Sequence, residues 1–289
     1  MSALFRRLLK SEVEYKPDDL RRLQLTLVEI VKDIDRVCRE NEITYFLDSG
    51  SCLGAVRHAG FIPWDDDMDL GMLRADYDRF LEVAPSALGD EYVVVHPGSS
   101  DKVAGQFAKV WKRGTVFATQ ETIEADIPQG IFVDIFPYDA VCPDGQAASR
   151  QLKNCRTWQS VSYLYHAKTI MVPDKGIKGA IERAACVVAH GIVHASLNPG
   201  RIREKFEHYA RCGEAENSGV YANMTYTQMG CFSKDVLVPP ATLVFEGVEF
   251  NVPAKPIEYL AQVYGDSWSQ LPPENERRNH APVELRFGE

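Results

Sequence analysis

The stretch FIPWDDDMDLGM, residues 61–72, contains the pattern that decides the fold. Apolar residues at positions 68, 70 and 72 alternate with Asp67, Asp69 and Gly71. Successive side chains of a β-strand point to opposite faces of the sheet, so a period of two predicts a half-buried strand. We therefore expect Asp67 and Asp69 to share one face, about 6–7 Å apart along the strand.

The same stretch is rich in acids, with four aspartates within five positions: Asp65, Asp66, Asp67 and Asp69. Crowded carboxylates repel one another, and some would hold protons at neutral pH unless a cation lay between them. Mg²⁺ binds carboxylate oxygens and keeps positions open for substrate phosphates, so it is the ion that this run favours, with Mn²⁺ as the alternative. Asp134 interrupts the apolar run IFVDIF, where a charge is costly unless it is paired or bound to metal. It is the natural third ligand.

The acidic run has two other interpretations. Most acidic runs are solvated loops or helix starts, and positions 65, 67 and 69 also fit the first three odd ligand positions of a calcium loop. Such a loop needs glycine at its sixth position and glutamate at its twelfth, where this chain has Leu70 and Asp76. Spacing alone leaves the metal site and the solvated run open.

Small residues lie just upstream of the acids. Gly50 and Ser51 follow a short predicted strand, 43–47, and precede a short predicted helix, 53–58. Small residues in such a turn let backbone N–H groups approach a phosphate. Because Ser51 lies 16 residues before Asp67, the turn is expected beside the acids, although most Gly-Ser turns bind nothing.

Helix and strand patterns alternate over the first half of the chain. Apolar spacings of three and four predict a helix between Leu20 and Val37, and another is predicted from about 74 to 84. Further strands are predicted at 92–95, 107–111 and 131–136. The predicted fold class is α+β, a mixed β-sheet core flanked by helices with a helical insertion in the second half.

We expect three segments. Residues 1–145 form the catalytic core with its N-terminal helix, 146–235 a helical insertion on the acceptor side, and 236–289 a C-terminal hairpin and helix that pack back on the core. The hairpin is predicted to turn at Glu246-Gly247.

The apolar stretch 176–197 has two interpretations. The favoured one is a helix packed in the core. The other is an amphipathic surface that contacts a lipid-linked acceptor or the membrane at its periphery.

Composition excludes several classes of protein. The chain has 289 residues and a net charge of −9, which argues against a nucleic-acid partner because phosphate backbones need a basic surface. No window of 18 apolar residues predicts a membrane-spanning helix, and the N-terminus lacks the pattern of a secretory signal. Seven scattered cysteines without metal-ligand spacing disfavour structural zinc and a disulfide framework. We expect a cytoplasmic protein, with the inner face of the plasma membrane as the alternative location.

The residues around the acids resemble those of a known family. FLDSGSCLGAVRHAGFIPWDDDMDLGMLRADYDRF (46–80) looks like the signature of the LicD family, metal-dependent phosphotransferases with the nucleotidyltransferase fold. IFVDIFPYD (131–139), FEGVEFNVP (245–253) and YLAQVYGDSWSQLPP (259–273) also resemble family segments. The long string GAVRHxGFIPWDDDxD makes chance a poor explanation.

The resemblance implies a function. Family members commonly move phosphocholine from CDP-choline, or a related alcohol phosphate from another CDP-alcohol, to a hydroxyl of a cell-surface glycan, a lipid-linked glycan or a teichoic acid, and they release CMP. Asp67, Asp69 and Asp134 match the positions of the family's metal-binding acids, and Gly50-Ser51 matches its substrate-binding turn. Asp134 is also the candidate base.

For several other residues a functional role and a purely structural role are both open. Arg57 is expected to bind a donor phosphate or to pair with an aspartate, and Lys109 to bind the diphosphate or to lie exposed on its strand. Asp65 and Asp66 are expected to orient the metal ligands, as is His58, whose simpler role is a turn residue. His280 could pack back towards the acids.

Two other functions stay open, a nucleotidyltransferase that moves NMP from an NTP and a non-catalytic metal- or nucleotide-binding module. A choline site would also need aromatic side chains around the quaternary ammonium. The candidates are Trp111, Trp158, Tyr163 and Tyr165, and the sequence does not choose among them.

Overall fold

The fold is taken from a computed structural model, which describes residues 15–16, 18–167, 176–216, 218–277 and 279–288. The side chains at 121, 124–125 and 176–183 lie outside this description. The helices are α1 (Asp19–Glu40), α2 (Ser49–His58), α3 (Arg74–Ala87), α4 (Gln120–Ala125), α5 (Gly145–His166), α6 (Gly176–Ser196), α7 (Pro199–Ala210), α8 (Lys234–Leu237) and α9 (Pro256–Tyr264). The strands are β1 (Phe46–Leu47), β2 (Asp69–Leu73), β3 (Tyr92–Val95), β4 (Ala108–Lys112), β5 (Val116–Ala118), β6 (Phe132–Ala140), β7 (Val220–Asn223), β8 (Phe232–Ser233), β9 (Ala241–Phe245), β10 (Val248–Val252) and β11 (Glu284–Arg286).

A mixed sheet of seven strands organises the molecule. Its main order is β1-β2-β6-β4-β3, and β7 pairs with the second half of β6 and with β8. The neighbours β2 and β6 are parallel, whereas the other pairs of this sheet are antiparallel. The mixed sheet flanked by helices confirms the coarse fold class, and the nucleotidyltransferase type stays a prediction.

The acidic strand forms with the predicted alternation but begins later. Met68, Leu70 and Met72 are fully buried, as predicted. The strand β2 starts at Asp69, so Asp67 lies in the connection before it rather than in the strand.

The predicted turn at Gly50-Ser51 is wrong. Both residues lie in the first turn of α2, which begins at Ser49, four residues before the predicted helix start. Asp48 caps this helix with its side chain, and that bond fixes the earlier start.

One apolar face of α1 packs on the sheet. Leu23, Leu27, Ile30, Ile34 and Val37 are buried at the predicted helical spacing. The helix α3 is fixed by a buried ion pair, in which Arg74 donates to both carboxylate oxygens of Asp139 at 2.6 and 2.8 Å. These contacts hold the strands that carry the acids.

The helical segment has a small core of its own. Helices α5 and α7 pack together, and Val141, Cys155, Phe206, Ala210, Ala222 and Met224 form a second apolar cluster. Helix α6 lies against α5.

The favoured interpretation of stretch 176–197 as a core helix is wrong over its described part. Val187, Val188 and Ile192 of α6 are 52%, 63% and 62% exposed. Apolar residues line several sides of this helix, so packing against α5 leaves many of them in solvent. Among the described helices, none is long and apolar enough to cross a membrane.

The last part of the chain returns to the main core. The hairpin of β9 and β10 turns at Glu246-Gly247, as predicted, and both turn residues have positive φ angles of 52° and 78°. Phe245, Phe250 and Tyr259 are buried in the main core. Strand β11 pairs with β5, which brings the residues before it back past the acids.

Candidate active site

The registers of three strands bring charged residues together. Asp69 of β2 lies opposite Asp134 of β6, and Lys109 of β4 lies opposite Asp134 on its other side. Directly opposed residues share one face of a sheet, with their Cβ atoms about 5 Å apart. The Nζ atom of Lys109 donates to Oδ1 of Asp134 at 2.6 Å and lies 3.8 Å from the centre of the Phe132 ring.

The remaining acids surround this row. Asp65 and Asp67 share a side-chain hydrogen bond, which requires a proton on one of the two carboxyls. Burial, and then the charges of Asp67 and Asp66, raise the pKa of Asp65 well above its usual range. Burial, and then the charges of Asp67 and Asp134, raise the pKa of Asp69 in the same way.

Asp66 has a different environment from its neighbours. Its buried carboxylate accepts from the Tyr15 hydroxyl at 2.5 Å and from the backbone N–H and Nδ1 of His280. The Nδ1 atom of His280 also lies 3.4 Å from Oδ2 of Asp67, and the charge of Asp67 raises the pKa of His280 to about 10. Asp66 therefore fixes the residues before β11 to the acidic segment.

The N-terminus of α2 lies beside the acids. The Ser51 hydroxyl accepts from the backbone N–H of Asp69 at 2.9 Å, and Asp48 N–H donates to the carbonyl of Asp69 at 2.8 Å. A Cβ atom on Gly50 would lie 3.2 Å from Oδ2 of Asp65, so the glycine gives that carboxylate room. Gly50 and Ser51 thus lie next to the predicted metal ligands, as expected.

Sequence reasoning missed Asp48. Its Oδ1 atom accepts from Ser49 N–H and from the hydroxyls of Tyr138 and Tyr259, while its buried Oδ2 has no hydrogen-bond partner in the described part of the chain. An aspartate directly before Ser-Gly-Ser is a helix N-cap signal that could have found it. The two tyrosines come from distant segments and carry no such signal.

Arg57 and His58 lie at the other end of α2. The guanidinium of Arg57 donates to the carbonyls of Trp268 and Gln270 at 3.1 and 3.2 Å, and to Nε2 of His58 at 2.9 Å. Its hydrogen-bond partners are therefore carbonyls and an imidazole rather than the aspartate that the ion-pair alternative expected. Arg57 thus contacts the connection that follows α9, and His58 binds the Arg57 side chain.

The donor set of the cluster fits a hard divalent cation. Its carboxylates outnumber its two cationic groups, Lys109 and His280, and every predicted ligand is an oxygen, which Mg²⁺ prefers. The raised pKa values of Asp67, Asp69 and Asp134 have burial as their largest cause, a cost that bound metal offsets. Among the described residues, Asp66, Asp67 and His280 form a group of three whose possible ligand atoms all lie within 4.8 Å of one another, whereas Asp67, Asp69 and Asp134 do not form so tight a group.

Helix α5 approaches the site through Tyr163, one of the aromatic candidates that the sequence offered. Arg156 donates from Nε and Nη2 to the Thr227 hydroxyl at 3.2 Å each. Two turns further along the helix, Tyr163 is hydrogen-bonded to Tyr226. The helical segment therefore provides part of the border of the acidic cluster.

Comparison with known proteins agrees with this geometry. The family model described as LicD/FKTN/FKRP, nucleotidyltransferase domain, matches residues 42–179. These residues are a LicD-family domain. They include Asp48, the acidic run, Lys109 and Asp134.

Individual relatives match the chain over different lengths. The chain is 26% identical over 261 residues to the lipopolysaccharide cholinephosphotransferase LicD of Haemophilus influenzae. This match covers 90% of this chain and 95% of that protein. Shorter matches link it to uncharacterized proteins of Rickettsia typhi, 39% identical over 72 residues, and Rickettsia prowazekii, 41% identical over 61 residues. Each of these two matches covers 23% of the relative's own length. The match to the Rickettsia typhi protein covers 25% of this chain, and the match to the Rickettsia prowazekii protein covers 21%. The comparisons confirm the predicted family and the predicted enzyme class, a LicD-like phosphotransferase.

Proposed function

We propose that this LicD-like protein transfers phosphocholine from CDP-choline, or a related alcohol phosphate from its CDP-alcohol, to a hydroxyl of a surface glycan and releases CMP. The observation that carries the proposal is the row Asp69–Asp134–Lys109 across three strands, with Asp67 beside it. Similarity over nearly the whole length of a lipopolysaccharide cholinephosphotransferase supports phosphocholine as the group and lipopolysaccharide as the acceptor. A teichoic acid or another lipid-linked glycan is the alternative acceptor.

The residues around α2 would bind the donor phosphates. Backbone N–H groups of the first helical turn have no partner within the helix, and the helix dipole favours negative charge there. Gly50 and Ser51 belong to this turn, and the turn adjoins Asp69 through the Ser51 hydroxyl. Lys109 adds a positive charge on the sheet side of the same cluster.

Asp67, Asp69 and Asp134 would hold a divalent cation, Mg²⁺ or alternatively Mn²⁺. When bound, such an ion offsets the negative charge that develops on the transferred phosphoryl group and on the departing CMP. The carboxylates themselves contribute by their fixed positions, because β2 and β6 hold Asp69 and Asp134 in register.

Asp134 is the candidate for accepting the proton of the attacking hydroxyl. Lys109 binds its Oδ1 atom, so the other oxygen would take the proton. Burial raises the pKa of Asp134 and the ammonium of Lys109 lowers it, so Lys109 favours the ionised form that a base requires.

The location of the reaction is part of the proposal. A lipid-linked acceptor made inside the cell would require a cytoplasmic enzyme that works at the inner face of the membrane. The exposed apolar residues of α6, beside α5, agree with an acceptor side on the helical segment.

A donor screen tests the function. The purified chain is incubated with CDP-choline, CDP-ribitol, CDP-glycerol or CTP, in the presence of Mg²⁺ and a delipidated lipopolysaccharide acceptor, and mass spectrometry measures CMP and pyrophosphate. We expect CMP and a phosphocholine-bearing acceptor from CDP-choline. Pyrophosphate from CTP would instead support a nucleotidyltransferase, the alternative that the family description suggests.

Two variants link the activity to the acids. Asp67→Asn and Asp69→Asn remove a charge with little change in shape, and each should lower the rate at least about 100-fold. Asp90→Asn, a change at an exposed acid after α3, is the matched control and should keep the wild-type rate. Wild-type turnover in either of the first two variants would contradict the proposed site. Absence of both turnover and metal binding in the wild-type chain would support a non-catalytic module.

A further inference from the structure

An aromatic surface adjoins the acidic row. Residues two apart on a strand share a face, so Phe136 lies on the face of Asp134 in β6. Phe107 immediately precedes β4, and its ring centre lies 5.2 Å from the Nζ atom of Lys109. The ring centres of Phe107 and Phe136 are 4.6 Å apart. The Tyr226 ring packs against both, with centre distances of 6.3 and 5.5 Å.

Tyr226 lies near enough to the acids for their charges to act on it. Besides burial, the charges of Asp134 and Asp69 and a hydrogen bond with Tyr163 raise the pKa of its phenol. The carboxylates of Asp134 and Asp69 would also attract a cation placed against this ring, whereas burial by itself disfavours a charge of either sign. The aromatic surface thus combines rings with a negative potential, the two features that bind an organic cation.

We infer that Tyr226 and Tyr163 bind the trimethylammonium group of the donor and so select choline among alcohol phosphates. A quaternary ammonium group offers no hydrogen-bond donor, and ring faces near carboxylates therefore discriminate in its favour. The inference rests on the proposed function and extends it from the phosphates to the alcohol.

The placement of the two tyrosines supports this role. Tyr226 is partly buried on the sheet side, whereas Tyr163 is 36% exposed on α5, so this tyrosine wall is open to solvent from the side of Tyr163. Two of the other aromatic candidates have partners elsewhere. Tyr165 stacks on His194 with ring centres 4.6 Å apart, and Trp158 packs against the smaller apolar cluster.

Leucine variants test the inference. The donors compared are CDP-choline and its uncharged tert-butyl analogue, in which carbon replaces the quaternary nitrogen. Wild-type kcat/KM should favour CDP-choline by about 2- to 30-fold, the range that a cation–π contact supplies. Tyr226→Leu and Tyr163→Leu should reduce this preference, mainly through a higher KM for CDP-choline, with kcat within a few-fold of wild type.

Conservative and matched variants complete the test. Tyr226→Phe keeps the ring and should keep the preference, although it loses the hydrogen bond to Tyr163. Tyr165→Leu makes the same change on α5 away from the acids and should also keep it. Melting temperatures and circular dichroism of each variant show whether the fold persists, and the exposed Tyr163 position provides a test if Tyr226→Leu does not fold.

The possible outcomes separate the inference from the proposed function. An unchanged preference in the folded leucine variants, from an enzyme that releases CMP from CDP-choline, overturns the inference alone. A wild-type enzyme that uses another CDP-alcohol but not CDP-choline overturns the inference and leaves the proposed phosphotransferase function in place. Loss of the preference in the leucine variants, with retention in Tyr226→Phe and Tyr165→Leu, supports both.

Discussion

Asp69 carries an electrostatic cost that a bound cation would relieve. Its carboxylate is surrounded by Asp67 and Asp134, and burial strengthens that repulsion because little water screens it. In a protein selected only for stability, a neutral residue would serve better at this position. A charge kept at such cost indicates that the position is used for binding or chemistry.

This cost gives a prediction about stability. With EDTA present, Asp69→Asn should keep or raise the free energy of unfolding, by about 1 kcal/mol, because it removes a repelled charge. Mg²⁺ should raise the melting temperature of the wild type and have little effect on the variant. Differential scanning calorimetry with and without metal measures both effects. A large loss of stability in EDTA would show that Asp69 has a structural role instead.

Asp66 shows why neighbouring aspartates need not share a role. It accepts hydrogen bonds from Tyr15 and twice from His280, whereas Asp67 faces the cluster. The sequence assigned Asp66 to orienting the metal ligands and Asp67 to binding the metal, but it could not identify the partners of Asp66, which lie 51 and 214 residues away.

At the scale of elements, α2 connects the acids to the rest of the fold. Its N-terminus binds the backbone of β2, and its middle packs closely on the loop that follows it. A Cβ atom on Gly54 would lie 2.5 Å from the carbonyl oxygen of Gly60 and 3.3 Å from the Phe245 ring. Backbone atoms cannot move aside as a flexible side chain can, so this packing requires glycine.

Gly54→Ala should therefore lower the free energy of unfolding by about 1–3 kcal/mol. The matched control is Gly191→Ala in α6, where a Cβ atom meets nothing within 4 Å. That helical change should raise stability by about 0.5–1 kcal/mol because alanine is the better helix former. Urea denaturation of both variants measures the two opposite effects. Equal effects of the two changes would contradict the close packing of α2.

Local sequence patterns predicted most helices and strands, but not the features that depend on contacts between them. The periodicities of α1 and β2, and the turn of the β9–β10 hairpin, are properties of neighbouring residues and were predicted well. The start of α2 was not, because the N-cap at Asp48 is a single side chain whose role depends on its surroundings. The exposure of α6 was not predicted either, since the sequence pattern of an apolar helix is the same whether the helix is packed in the core or exposed to solvent.

The candidate site was predicted in part for the same reason. Asp67, Asp69 and Asp134 stood out through their apolar neighbours, and Gly50 and Ser51 as small residues just upstream, which the family signature then matched to its substrate-binding turn. The contacts of Asp48 with Tyr138 and Tyr259, and of Tyr163 with Tyr226, join segments far apart in sequence. One-dimensional spacing contains no information about such pairs.

At the scale of the whole molecule, the segment 279–288 closes one side of the site. His280 binds Asp66 and Asp67, and β11 continues as the partner of β5. The acidic run is thus held from one side by the residues next to the C-terminus and from the other by α2. Its geometry depends on both ends of the described chain.

Asp66→Ala should loosen this closure. Loss of a buried carboxylate that accepts several hydrogen bonds should cost about 1.5–3 kcal/mol and speed amide exchange in β11 and β5. Hydrogen exchange followed by mass spectrometry measures the change, with Asp90→Ala as the exposed control. Wild-type exchange in β11 would indicate that strand pairing alone holds the segment.

Helix α5 places Tyr163 beside Tyr226 at the border of the site, yet it packs mainly on α7 through an apolar cluster distinct from the main core. Residues on its outward side can therefore change without disturbing the strands that position the carboxylates. If the tyrosine wall selects the alcohol, enzymes of this architecture can acquire a new cargo by altering one helix while the phosphoryl chemistry stays the same. Exchanging that helix between relatives is then a route to retargeting the enzyme.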